Sequence, residues 1–168
     1  IIHSGASAEL AELVELTGAP TTMTLMGLGA LPTSHPRWLG MLGMHGTYVA
    51  NMAMVECDLM IAIGSRFDDR VTGDLNEFGK QCKIIHIDID PTSIRKTVRV
   101  DCPIVGDVSN VLRVLNLELR KLRESWTPDL EDWYGVLAEI QEKHPLRWDH
   151  DDAVIKPQYA IDQIYRRT

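Results

Sequence analysis

The sequence predicts an α/β domain built on a doubly wound parallel sheet with helices on both faces. Three observations carry this. Short apolar runs, of which residues 59–63 (Leu-Met-Ile-Ala-Ile) and 83–88 (Lys-Ile-Ile-His-Ile-Asp) are the clearest, have the length and β-branched content of buried strands. Between them lie segments whose apolar residues recur every three or four positions, as on helices packed by one face. Strand and helix alternate along the chain, an order that lays strands parallel and sends crossover helices to both faces of the sheet.

The elements follow in order. Residues 6–17 place Leu10, Leu13 and Val14 at helical spacing, and Gly18 with Pro20 supplies the stop. Residues 21–25 read as a short Thr-rich buried strand, and 26–43, with four glycines and two prolines, as a long functional loop. Thr47 is placed to cap a helix that runs to about Cys57, and Asp58 leads into the strand 59–63. After the strand 83–88, Asp90-Pro91 has the form of a helix start, an acid followed by proline at the first helical position. A short strand at 103–105 precedes a helix in which Val108, Val111, Leu112, Leu115, Leu119 and Leu122 form one apolar stripe.

Composition shifts near Ser125. The first 125 residues read as one domain, and 126–152 as an interdomain linker around one helix at 130–143. Three of the four tryptophans, Trp126, Trp133 and Trp148, lie in that linker. Residues 153–168 open a further unit, with a helix begun at Lys156-Pro157 and carrying Ile161, Ile164 and Tyr165 on one side. That helix reaches Thr168 without a Gly or Pro stop, and no strand precedes the first helix, Ile1-Ile2 being at most the end of one. Both features give the expectation of a piece cut from a longer enzyme.

The formal net charge of -7 and the absence of a Lys/Arg cluster exclude a nucleic-acid role, since phosphate neutralisation supplies most of that affinity. Cys57, Cys82 and Cys102 show no metal or redox spacing, so neither a zinc site nor a disulfide framework is expected, and a reducing cytoplasm is. No apolar run approaches the roughly 18 residues of a membrane span.

Chemistry is expected at the carboxyl ends of the strands, where open α/β folds bind ligands. The strand 59–63 runs directly into Gly64-Ser65-Arg66-Phe67-Asp68-Asp69-Arg70-Val71-Thr72-Gly73, two cations and two anions at that edge. Arg66 and Arg70 suit planar, bidentate binding of phosphate or carboxylate with Asp68 and Asp69 holding them in place, or else the four form a surface ion-pair cluster worth under about 1 kcal/mol. Leu42-Gly43-Met44-His45-Gly46-Thr47 combines glycines that let backbone approach a ligand with a helix start that favours an anion, although a glycine-bounded cap needs no ligand. Asp88 and Asp107 close successive strands and can accept hydrogen bonds from ribose or adenine groups, or cap the turns that follow. Gly27-Leu28-Gly29-Ala30-Leu31-Pro32 ends in proline and so fails the dinucleotide fingerprint. All seven methionines lie between Met23 and Met60, as core filler or as an adaptable lining for a flat aromatic ligand.

The string Gly64 to Gly73 resembles the signature of the acetohydroxyacid (acetolactate) synthase family. Thr24-Leu25-Met26-Gly27-Leu28-Gly29, the Leu42 to Thr47 block and His86-Ile87-Asp88-Ile89-Asp90 are similar to further blocks of that family, and Ile155-Lys156-Pro157-Gln158 resembles its entry into a third domain. The resemblance implies a Rossmann-like central domain with about six parallel strands. It also implies FAD extended across the strand ends, on Thr24, Leu25, Leu42, Gly43, Met44, His45, Gly64, Ser65, Arg66, Phe67, Asp68, Asp88, Ile89, Asp107 and Val108. Asp69 and Arg70, with Met44, would face a substrate channel, the arginine placed to meet a 2-oxo acid carboxylate.

Family members condense two pyruvates, or pyruvate with 2-oxobutyrate, with loss of carbon dioxide, for branched-chain amino-acid biosynthesis. The resemblance places thiamine diphosphate and Mg2+ on amino- and carboxyl-terminal domains not present in these 168 residues, and implies a homodimer or homotetramer with a small regulatory subunit. No catalytic residue or metal ligand is expected within this piece, which alone would be inert. Two other readings stay open: a central domain of another thiamine diphosphate enzyme that binds a different nucleotide or none, and a docking or regulatory surface built around the linker tryptophans.

Overall fold

The computed structural model describes residues 1–151 and 153–167. Helix α1 (Ser7–Thr17) packs Leu10, Leu13 and Val14 inward and ends at Gly18 in the left-handed region, whose N–H donates to the Val14 carbonyl. Strands β1 (Thr21–Met23) and β2 (Trp38–Met41) pair in parallel. Helix α2 (Tyr48–Glu56) crosses to β3 (Leu59–Ile63), which pairs in parallel with β4 (Lys83–Asp88), itself parallel to β5 (Cys102–Val105). A one-turn helix α3 (Asp69–Thr72) lies between β3 and β4, and α4 (Val108–Leu122) follows β5. Helices α5 (Glu131–Lys143) and α6 (Pro157–Tyr165) complete the described elements.

The parallel α/β architecture agrees with the sequence, but among the described residues five strands are present, in sheets of two and three, and not about six. Part of the shortfall is at the amino end, where Ile2–Ser4 forms a 3-10 turn closed by Gly5 and no strand precedes α1. The segment expected as one long loop contains β2, because Trp38, Leu39 and Met41 continue the sheet after the turns at Pro32 to Pro36. The expected strand at 21–25 stops at Met23, and Leu25–Gly27 is a 3-10 turn. Asp90-Pro91 starts turns and no helix: Asp90 accepts from the Thr92 N–H and from the Thr92 and Ser93 hydroxyls, local bonds that compete with helix formation. Thr168, into which the last helix was expected to run, lies outside the described residues.

Side-chain alternation makes the sheet two-faced. Ile61, Ile63, Ile85 and Ile87 pack on one side with α1 and α4. Met60, Ala62 and Ile84 turn to the other, where they meet Phe67, Met54, Phe78 and Val100. Asn116 of α4 is fully buried and donates to the Glu9 carbonyl and carboxylate Glu12 of α1, fixing the register between the two helices. Helix α5, expected in a linker, packs on the rest of the fold: Leu137 is buried against Val49 and Ala53 of α2, with Trp133 and Ile140 beside it, and the Tyr134 hydroxyl donates to the Gly18 carbonyl. Of the other two tryptophans in residues 126–152, Trp126 is exposed, while Trp148 stands edge-on to Tyr159.

At the amino ends of β3 and β4, the sulfurs of Cys57 and Cys82 approach to 3.5 Å. Burial, with Cys82 and Asp58 nearby, pushes the Cys57 thiol up to about 12. A thiol raised above its unfolded value of 9.0 contributes stability below that pH and loses it as pH rises toward about 12. Thermal midpoints measured across pH 8.5 to 11.5 are therefore expected to fall more steeply for the native protein than for Cys57→Ala; parallel profiles would contradict this.

Candidate functional site at the carboxyl edge of the sheet

Because the strands of each sheet run parallel, the residues that follow them collect at the carboxyl edge of that sheet. Gly64 follows β3 and donates its N–H to the Ile87 carbonyl at 2.7 Å, while Gly106 follows β5 and donates to the Asp88 carbonyl at 3.0 Å, so Gly64, Asp88 and Gly106 stand level. Thr24 and Leu25 follow β1, and Leu42 to His45 follow β2, with the Leu42 N–H bonded to the Met23 carbonyl. The edge is apolar and uncovered: Leu25 is 70% exposed, Met26 78%, Ile89 69% and Val105 57%. Gly64 has φ +63, and a Cβ added there would meet nothing within 4 Å.

The 42–47 segment owes its shape to contacts far off in sequence. Gly43, at φ +93, lies so close to α3 that a Cβ would collide with the Arg70 carbonyl, and the Met44 N–H donates to that same carbonyl at 2.8 Å. The Asn51 side chain brackets Gly43, accepting its N–H at 2.7 Å and donating to its carbonyl at 3.0 Å. Thr47 caps α2 as the sequence implies: its hydroxyl accepts from the Ala50 N–H and donates to the Leu39 carbonyl.

Docking of this loop on α3 brings Met44, Asp69 and Arg70 into one cleft of about 290 Å³, closed behind by Met54, Val71 and Phe78. Arg70 reaches toward the Met44 sulfur at 4.0 Å, and Asp69 accepts its own neighbour's N–H, that of Arg70, at 2.9 Å. The adjacent His45 lines a different groove of about 480 Å³, with Trp38, Thr47, Gln141 and Leu146, so consecutive residues serve opposite sides of the loop. Arg66 pairs with Asp68 at 2.8 Å, both exposed, a contact of little energetic weight.

Not every expected ligand contact presents its side chain. Phe67 is only 4% exposed, its ring edge-on to Phe78 and His86, and it holds a left-handed backbone at φ +55. Such strain costs about 1–3 kcal/mol in a non-glycine residue and leaves only the Phe67 backbone for the edge. Val108 and Leu42 are buried as well. The Asp107 carboxylate caps α4 through the Asn110 N–H, and Asp88 accepts the Asp90 N–H at 2.8 Å, so each acid does cap the turn that follows it. Each also has an oxygen left over for a ligand. Asn51 and Phe78 join the site unannounced, since neither lies in a motif and only folding brings them there; His86 opens the family-like block 86–90, but nothing in that block marks its side chain as meeting the site.

A family model described as "Thiamine pyrophosphate enzyme, central domain" matches residues 1–115. The chain belongs to this central-domain family. The domain is 52% identical over 164 residues to a probable acetolactate synthase large subunit of Methanocaldococcus jannaschii, a match covering 98% of this chain and 27% of that protein. It is 46% identical to an acetolactate synthase of Mycobacterium avium, covering 98% of this chain and 27% of that protein. With the acetolactate synthase isozyme 3 large subunit of Escherichia coli the identity is 44%, over 99% of this chain and 29% of that protein. The chain therefore spans less than a third of the length of these relatives. Among the described residues, no helix is long and apolar enough to cross a membrane, and no group of three or more His, Cys, Asp or Glu is placed to hold a metal ion.

Proposed function

We propose that this chain is the flavin-binding central domain of an acetolactate synthase catalytic subunit. The observation that carries the proposal is the set of exposed apolar side chains at the strand ends, Leu25 and Met26 after β1, Ile89 after β4 and Val105 closing β5, with Gly64 after β3 leaving its backbone bare. Large apolar side chains left exposed where strands end suit a flat ligand laid across those ends. FAD fits this edge: the apolar side chains suit its flat ring, Gly64 admits close approach, Asp88 and Asp107 keep an acceptor oxygen for ribose or adenine, and Arg66 carries positive charge toward a pyrophosphate. When bound, FAD would supply a rigid aromatic wall with no net redox change, a largely structural role.

Thr24, Met44, His45, Ser65 and Asp68 would complete the contacts, with Leu42, Gly43, Phe67 and Val108 acting through backbone or support. Met44, Asp69 and Arg70 would line the approach of the 2-oxo acid, with Arg70 meeting its carboxylate. In this reading residues 1–125 form the central domain, 126–152 the linker and 153–168 the start of the next domain. Thiamine diphosphate and Mg2+ would be held by the remaining domains of the protein. The whole would work in the cytoplasm as a homodimer or homotetramer with a regulatory subunit, and the 168 residues alone would not turn over pyruvate.

The test is spectral. The full-length protein is expected to purify with flavin absorbance near about 450 nm, and Gly64→Asn to lose it. Asparagine tolerates the left-handed backbone, so the change should cost under about 1 kcal/mol of stability while its side chain fills the space a ligand needs. Flavin affinity should drop at least about tenfold, the equivalent of about 1.4 kcal/mol. A colourless protein that instead binds ADP in calorimetry would overturn the flavin assignment, and turnover by the 168-residue piece with added thiamine diphosphate and Mg2+ would overturn the division of labour.

A further inference from the structure

His86 sits one layer beneath the candidate site, on the same face of β4 as Asp88, and is completely buried. Its imidazole is held by the Phe67 ring, edge-on at 5.1 Å, and lies beside the Ser65 backbone, so the segment after β3 and the end of β4 meet on one side chain. Burial pushes its pKa down from 6.5, and Asp88 pushes back up. Neither ring nitrogen completes a hydrogen bond of good geometry. Nε2 stands 3.8 Å from Asp88 Oδ2, the carboxylate oxygen not engaged by the Asp90 N–H. A buried donor left unpaired costs stability, and such groups mark places where a structure is poised for a partner.

We propose that His86 is a positioning residue for the ligand at this edge. Its Nε2–H closes on Asp88 Oδ2 when a nucleotide hydroxyl or amino group engages the carboxylate. Asp88 is then held in a fixed plane between the Asp90 N–H on one oxygen and the imidazole on the other, with its remaining lone pairs turned to the ligand. A second-layer donor of this kind adds affinity by removing the freedom the carboxylate would otherwise lose on binding. The proposal rests on the nucleotide reading of the edge.

The full-length protein provides the test, with affinity for FAD and for ADP measured first on the unaltered protein. Absence of both would overturn the nucleotide reading and the proposal with it. With binding established, His86→Phe keeps the ring packed against Phe67 but lacks the donor, and is expected to weaken binding about tenfold with an unchanged or raised thermal midpoint, since two unpaired nitrogens are removed. His86→Gln restores an N–H and is expected to stay within about threefold of the native affinity. In an Asp88→Ala background, His86→Phe should have no further effect. Unchanged affinity in His86→Phe, equal losses in the Phe and Gln variants, or additivity with Asp88→Ala would each overturn the positioning role. Should His86→Phe fail to fold, His86→Gln and its combination with Asp88→Ala decide the matter, a Gln variant that binds more than about tenfold weaker counting against it.

Discussion

Gly43→Ala is expected to destabilise the protein by about 2–4 kcal/mol and to abolish ligand binding at the edge. Two costs add. At φ +93 a side chain is strained whatever surrounds it, and the new Cβ would collide with the Arg70 carbonyl. That carbonyl cannot retreat freely, because the Met44 N–H is bonded to it and Gly43 is itself clamped by Asn51. Relief requires lifting the 42–46 loop off α3, which opens the cleft between Met44 and Arg70. Gly64→Ala is the control: its Cβ meets nothing, so only the backbone term of about 1 kcal/mol remains. Thermal or denaturant unfolding with flavin content measured in parallel checks the pair, and equal effects of the two alanines would refute the docking argument.

Leu112→Ala should cost a comparable or larger amount, about 2–5 kcal/mol, for a different reason. Leu112 is fully buried in the core shared by α1, α4 and the sheet, so truncation leaves a cavity among rigid neighbours. For a domain of this size the loss corresponds to a fall in midpoint of about 5–15 °C. Leu112 lies one turn beyond Val108 on the core face of α4, and truncating it alters no edge side chain itself, so flavin affinity in the cold, where the variant is folded, should stay close to the native value. A Leu112→Ala protein that binds weakly while fully folded would mean that core and edge are mechanically coupled.

The fate of individual elements shows where sequence reading succeeds. Strands β3 and β4 and helices α2 and α4 lie where their patterns placed them to within a residue or so, and α6 starts where expected but ends at Tyr165, because each carries a strong local signal: an apolar run of strand length, a Thr47 cap, a regular stripe, a proline at the first turn. The failures have local causes as well. Asp90-Pro91 carries a helix-start motif, but its carboxylate is consumed by Thr92 and Ser93 and the turn wins. Strand β2 hides among glycines and prolines because its pairing partner, β1, supplies what its own propensity lacks.

For the site, Gly64, Asp88 and Asp107 were legible one by one as strand-end residues and Gly43 as a loop glycine before a helix start; parallel topology aligns the first three along one edge, and only β2, hidden in the sequence, puts Gly43 after a strand as well. Composition, the parallel α/β class and the family of this chain were likewise written in short stretches of sequence, since periodicity and motif chemistry are local properties. Which side chains face the ligand edge and which turn inward was not. Phe67 folds into the core beneath its own signature, Asn51 reaches back to clamp Gly43, and His86 meets Asp88 and Phe67 under the edge; each depends on contacts across the fold, which no single segment encodes because packing is settled only when both faces of the sheet are covered.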